Sequence, residues 1–96
     1  MSNSLVIFPT YNEKLNILNI INKVLSQGFE VLVVDDNSPD RTYEIVENSF
    51  STNKKVHLIK RKKKMGLGSA YREGFSWALE KGYEFIHTFA LMDRFK

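Results

Sequence analysis

Short apolar runs punctuate this chain, and longer stretches of helical periodicity separate them. Leu5-Val6-Ile7-Phe8 is the first run, and Pro9 closes it, since a proline cannot donate to a ladder and suits a strand end. The spacing then changes: Ile17, Ile20, Ile21 and Val24 share one helical face, which Leu18 and Leu25 widen. Thr10 and Glu13 have capping-box spacing before this helix, Asn12 is an alternative N-cap, and Gly28 is placed to end it. Val31 to Val34 shows no alternation and predicts a strand buried on both faces, running from about Glu30 to Asp35. Asp40 is placed to cap a short helix through Ile45 and Val46, and Val56 to Ile59 predicts a third strand. Tyr71, Gly74, Phe75, Ala78 and Leu79 recur at helical spacing with Gly82 as the stop, and Tyr83 to Met92 predicts a last strand. The order is βαβαβαβ. It implies an α/β, Rossmann-like parallel sheet with helices on both faces and right-handed crossovers.

Ninety-six residues allow a single domain over 1–96, with a core but little margin. There is no cysteine, which excludes a disulfide framework and thiolate metal ligation. No apolar run reaches the length of a membrane span, and the N-terminus lacks a signal-peptide pattern. The formal charge of +3 has a local origin. Lys60-Arg61-Lys62-Lys63-Lys64 carries five positive charges and leaves the remainder at −2. A basic patch on a near-neutral domain argues against a nucleic-acid partner.

Candidate chemistry centres on Asp35 and Asp36, at the carboxyl end of the second strand, where open α/β sheets bind their ligands. Neighbours in a strand point to opposite sides, so one carboxylate can cap the turn while the other faces a ligand. The loops after strands one, two and three should open on the same rim. They bring Pro9 to Glu13, then the two aspartates, then the basic run with Gly66 and Gly68. An aromatic face, acceptors and cations together suit the base, hydroxyls and diphosphate of a nucleotide. Each element also has a plainer explanation: Tyr11 as packing, Asp35 as a turn cap, the glycines as a helix entry, the lysines as a solvated loop. His57 and His87 have no second ligand at metal spacing and read as structural.

Three stretches together resemble a known family: Phe8-Pro9-Thr10-Tyr11-Asn12-Glu13, Val33 to Thr42, and Lys63 to Tyr71 with its Gly66-Leu67-Gly68 core. They resemble family-2 glycosyltransferases, and among these the polyprenyl-phosphate branch of dolichyl-phosphate mannose synthase type. The likeness runs from Leu5 to about Ile86. It implies the N-terminal half of a GT-A fold and a reaction moving mannose from GDP-mannose to a dolichyl or polyprenyl phosphate. By the same resemblance Pro9, Tyr11 and Glu13 line the nucleotide-sugar site, Val34 and Asp36 contact base and ribose, and Lys64 assists at the phosphates. It also implies a location on the cytoplasmic side of the endoplasmic reticulum.

The likeness fails at the tail. The family continues into an Asp-x-Asp motif that holds Mg²⁺ or Mn²⁺, whereas here only Asp93 remains, followed by Arg94 and Phe95. One carboxylate beside an arginine is a poor site for a hard divalent cation. The sequence therefore reads as a truncated, donor-binding part of such an enzyme, with little or no turnover alone. The alternative is a non-catalytic nucleotide-binding or protein-interaction module derived from the family, which self-associates through its uncovered sheet.

Overall fold

The computed structural model describes residues 3–88. Four parallel strands form one sheet: β1 (Ser4–Thr10), β2 (Glu30–Asp35), β3 (Val56–Lys60) and β4 (Phe85–Thr88), in the spatial order β3-β2-β1-β4. Helices α1 (Ile17–Ser26), α2 (Thr42–Phe50) and α3 (Leu67–Lys81) make the crossovers. None of the described helices is long and apolar enough to cross a membrane.

The strand alternation sorts the core into two layers. Val6 and Phe8 of β1 and Val31 and Val33 of β2 face Ile17, Ile21, Val24 and Val46 of α1 and α2. Leu5, Ile7, Leu32 and Val34 point the other way, toward Ala70 and Ala78 of α3. Val31 to Val34 are all fully buried, as an uninterrupted apolar run in a two-sided sheet must be. The expected α/β architecture with helices on both faces is the one observed.

Several boundaries differ from the sequence expectation, each for a physical reason. Pro9 does not close β1; the strand continues to Thr10, whose carbonyl accepts from the Asp36 N–H. By alternation the Pro9 nitrogen turns away from β2, so its missing donor costs no bond to that strand. The Thr10–Glu13 capping box does not form. Thr10 sits in the strand with its hydroxyl given to Asp35, and α1 starts only at Ile17 behind Asn16, without a side-chain cap. Asp40 does hold the start of α2, accepting from both the N–H and hydroxyl of Thr42, but that helix runs on to Phe50. Gly28 ends α1 with a positive φ of 91°, as a C′ glycine should.

The largest revision concerns α3. Of the five positions expected at helical spacing, Gly74 and Ala78 are buried and Tyr71 packs partly buried on the core, whereas Phe75 and Leu79 are exposed; Ala70 completes the buried face. Small residues let the helix lie directly on β1. A Cβ at Gly74 would stand 2.7 Å from Cγ2 of the fully buried Ile7. Gly74→Ala should therefore lower stability although alanine favours helix. Overpacking costs about 1–3 kcal/mol and the propensity gain returns about 1 kcal/mol. A denaturant midpoint equal to or above the parent's would contradict this close approach.

At the amino ends of β2 and β3, away from the ligand rim, Tyr83 donates to Glu30 at 2.6 Å and His57 Nε2 lies 3.1 Å from the same carboxylate oxygen. Burial, then the neighbouring Glu30, pushes the Tyr83 phenol up from its ordinary range. His57 also packs on Trp77, and His87 meets Phe29 edge to face. Both histidines belong to packing clusters.

Candidate functional site: the carboxyl rim of the sheet

The three loops that follow β1, β2 and β3 are laced into one surface. Successive peptide N–H groups of the first loop donate to side chains of the second: Asn12 to Ser38 Oγ at 3.0 Å, Glu13 to Thr42 Oγ1 at 3.0 Å, Lys14 to Asp40 Oδ2 at 3.1 Å. Asn12 returns the contact, its Oδ1 accepting from the Asp40 N–H. Asn12 and Asn37 both adopt left-handed backbone with φ of 57°, which asparagine tolerates better than most residues. Asn37 Nδ2 then reaches the Lys62 carbonyl at 3.1 Å and ties the second loop to the third.

The two aspartates divide their work by the pleat. Asp35 is wholly buried: its Oδ1 accepts from the hydroxyls of Thr10 at 2.6 Å and Ser38 at 2.7 Å, and its Oδ2 from the Ser38 N–H at 2.9 Å. It caps the turn. Asp36, on the α3 side, lines a cleft, but its oxygens are engaged as well. Oδ1 meets Arg61 Nε at 2.6 Å, and Oδ2 accepts from the Met65 and Gly66 N–H groups.

Arg61 went unnoticed as one member of a basic run, and it differs from its lysine neighbours. Its side chain is 3% exposed, and it also donates to Ser69 Oγ, Glu73 Oε1 and the Gly66 carbonyl. It joins β2, the third loop and the first turns of α3. The available signal was its identity: within four lysines, the single guanidinium is the cation suited to several fixed acceptors in a buried setting. Of the two glycines in that loop, Gly66 is required by its backbone, with φ 95° and ψ 161°. Gly68 lies inside α3 with no such demand.

Burial alone would push the Asp36 carboxyl up, but the hydrogen bond from Arg61, those from Met65 and Gly66 and the guanidinium charge outweigh it and hold it below the ordinary range. Asp40 is also lowered: against burial stand its bonds from Thr42 and Lys14 and the charge of Lys14. Both folded carboxyls thus lie below their unfolded value of 3.8. The stability they contribute is complete above that value and is lost as pH falls through the folded ones. Urea midpoints should be flat with respect to these groups above about pH 5 and fall below about pH 4. Asp40→Asn should shallow that acid limb; an unchanged limb would count against the assignment.

A cleft of about 170 Å³ opens between these loops, walled by Pro9, Thr10 and Tyr11 on the β1 side and by Asp36, Lys64, Gly66 and Leu67 opposite, with Ala70 of α3 behind. The Lys64 ammonium stands 4.3 Å from the centroid of the Tyr11 ring, which is 38% exposed. Of the sequence-predicted residues, Pro9, Tyr11, Asp36 and Lys64 therefore meet in one cleft. Val34 is opposite Pro9 in register, but its side chain is sealed in the core against α3. Glu13 is outside the cleft lining and holds the start of α1 through its carbonyl.

A divalent cation finds no fit here. Among the described residues no group of three His, Asp or Glu side chains could hold one, and the rim aspartates already spend their oxygens on internal donors. Asp93 lies outside the described residues.

The family profile described as Glycosyl transferase family 2 matches residues 5–93 of the chain, the span that contains this rim. The chain belongs to glycosyl transferase family 2. Polyprenol monophosphomannose synthase of Mycolicibacterium smegmatis is 41% identical over 86 residues, which are 86% of this chain and 32% of that protein. Undecaprenyl-phosphate mannosyltransferase of Micrococcus luteus is 40% identical over 84 residues, 85% of this chain and 35% of that protein. Among solved structures, mannosyltransferase PcManGT from Pyrobaculum calidifontis, in complex with GDP-Man and Mn²⁺, superposes with a TM-score of 0.69 at 27% identity, covering 77% of this chain and 24% of that one. The chain of this glycosyl transferase family 2 member thus spans about a third of the length of these curated relatives.

Proposed function

We propose that this chain is the donor-binding part of a mannosyltransferase that moves mannose from GDP-mannose to a polyprenyl phosphate. The observation that carries the reading is the convergence of Pro9, Tyr11, Asp36 and Lys64 on one cleft at the carboxyl rim. The named relatives and the GDP-Man complex of the structural neighbour support the sugar nucleotide and the lipid-phosphate acceptor. At about 170 Å³ the cleft is smaller than the roughly 300–1,000 Å³ of whole-ligand pockets. It suits one part of the donor, the nucleoside. Tyr11 offers a ring face, Asp36 the one acceptor position left on Oδ1 beside Arg61 for a base or ribose donor, and Lys64 a mobile cation toward the diphosphate.

In the complete reaction a phosphate oxygen of the lipid attacks the anomeric carbon of mannose. The new C–O bond forms as the bond from that carbon to the β-phosphate oxygen breaks, and GDP leaves with the electron pair. Lys64 can offset charge on the departing diphosphate. On this reading the chain alone binds donor with little or no transfer; among the described residues no group of three or more acids or histidines could hold a metal.

Calorimetric titration with GDP and GDP-mannose, with and without Mn²⁺, tests this. Saturable binding of both, weakened about tenfold by Lys64→Ala, is expected on the basis of one charge-assisted contact. Failure of the folded chain to bind either ligand would overturn the reading.

A further inference from the structure

The outer edge of β3 takes no part in the site at the rim. β3 stands at one end of the strand order, and no described strand lies beyond it. The Lys55 carbonyl accepts from the Val31 N–H at 2.9 Å and the Arg61 N–H donates to the Asp35 carbonyl at 2.8 Å, so the odd-numbered positions bond inward to β2. Alternation then turns the peptide groups of Val56, Leu58 and Lys60 outward. The Val56 N–H is already given to the Asn53 carbonyl at 3.2 Å, which leaves Leu58 and Lys60 to meet an incoming backbone with donor and acceptor alike. Beside this edge runs a groove of about 200 Å³, with Val46, Glu47 and Phe50 of α2 on one wall and Val56 and Leu58 on the other. The two β3 residues that line it are thus among those whose peptide groups point out. A strand added here would bond to the edge and lay alternate side chains over the groove in one placement.

Charge decides what kind of strand fits. Lys54 and Lys55 precede β3, Lys60 ends it and Lys62 follows, all four exposed. A second copy pairing antiparallel about Leu58 would set Lys54 of one chain opposite Lys62 of the other. Shifting the centre to His57 would set Lys54 opposite Lys60. Like charges directly opposite destabilise a pair of strands, and edge lysines guard against such self-pairing. Acids at both ends of the incoming segment would instead find a lysine at each, while Glu47 on the groove wall disfavours an acid at its middle. We propose that the outer edge of β3 is a docking site for an extended segment of another protein, apolar at alternate positions and acidic at both ends. The groove lies on the sheet face covered by α1 and α2 and the donor cleft on the α3 face, so both can be filled together.

The test is NMR titration of the isotope-labelled 96-residue chain with the synthetic peptide Glu-Glu-Val-Thr-Val-Thr-Val-Glu-Glu, beside the same peptide with lysine for each glutamate. Saturable binding of the acidic peptide is expected, with slowed hydrogen exchange at the Leu58 and Lys60 amides. It should exceed binding of the basic peptide about tenfold at low salt, and by less as salt rises. Lys54→Glu/Lys60→Glu should reverse that preference. Lys60→Pro should bind about fivefold more weakly than Lys60→Ala, because it lacks the outward N–H. An edge strand tolerates proline where its nitrogen faces solvent. No saturable binding by the folded parent, equal binding of the two peptides, or unprotected Leu58 and Lys60 amides overturns the proposal. Competition between peptide and GDP also overturns it, by placing the peptide in the cleft. So does a concentration-dependent dimer that the peptide dissociates, which would give the edge to a second copy.

Discussion

Arg61→Ala is expected to destabilise the fold by about 3–5 kcal/mol, the cost of removing one partner from a buried ion pair. The side chains of Arg61 and Asp36 are 3% and 8% exposed, so water cannot replace the missing guanidinium. Asp36 would keep its two peptide donors from Met65 and Gly66 but lose its countercharge, while Ser69 and the Gly66 carbonyl would lose a donor. The pair is not required for stability as such. Asp36→Leu together with Arg61→Met should recover part of the loss, because two apolar groups leave no orphaned charge. Guanidinium unfolding of the parent, the single variants and the double variant measures the coupling. A single-variant loss below about 1 kcal/mol would show that Arg61 is solvated rather than clamped.

The second large effect is on binding. Asp36→Ala should weaken GDP about 10- to 100-fold, the range for losing a hydrogen bond to a charged group. Asp36 is the acid that reaches the cleft, whereas Asp35 is enclosed by Thr10 and Ser38 on the opposite side of the pleat. Because Asp36→Ala also frees Arg61, the titration should be made where circular dichroism shows the variant folded. Arg61→Met at the same temperature then separates the two contributions. Loss in Asp36→Ala alone would make the carboxylate a direct ligand contact. Equal loss in both variants would make it a support for the third loop, and unchanged GDP affinity in Asp36→Ala would remove it from the site.

Much of the architecture was legible in the residues. Periodicity located every described strand and helix to within a few positions, because burial on one face or two is written into neighbouring residues. In α3 it placed Gly74 and Ala78 correctly on the buried face but not Phe75 and Leu79, which the sheet does not cover. Hydrophobicity alone does not say how near a helix may come. Ile7 against Gly74 decides that. Resemblance to the family was equally visible, though not what its motifs do. In the folded chain, Asn12, Ser38, Asp40 and Thr42 spend their polar groups tying the first two loops together. Half of what reads as a ligand motif is also the scaffold of the rim.

The sequence by itself determined the order of elements, the two-sided burial of β2 and the opposite facing of Asp35 and Asp36, since each follows from the local geometry of a strand. Only the tertiary structure decided which side chains would satisfy those acids. Thr10 reaches Asp35, and Arg61 reaches Asp36, across 25 residues in each case. Parallel strands joined by helical crossovers bring such distant positions side by side at the sheet's end. There a buried carboxylate must find donors wherever the chain returns, and no local pattern names them.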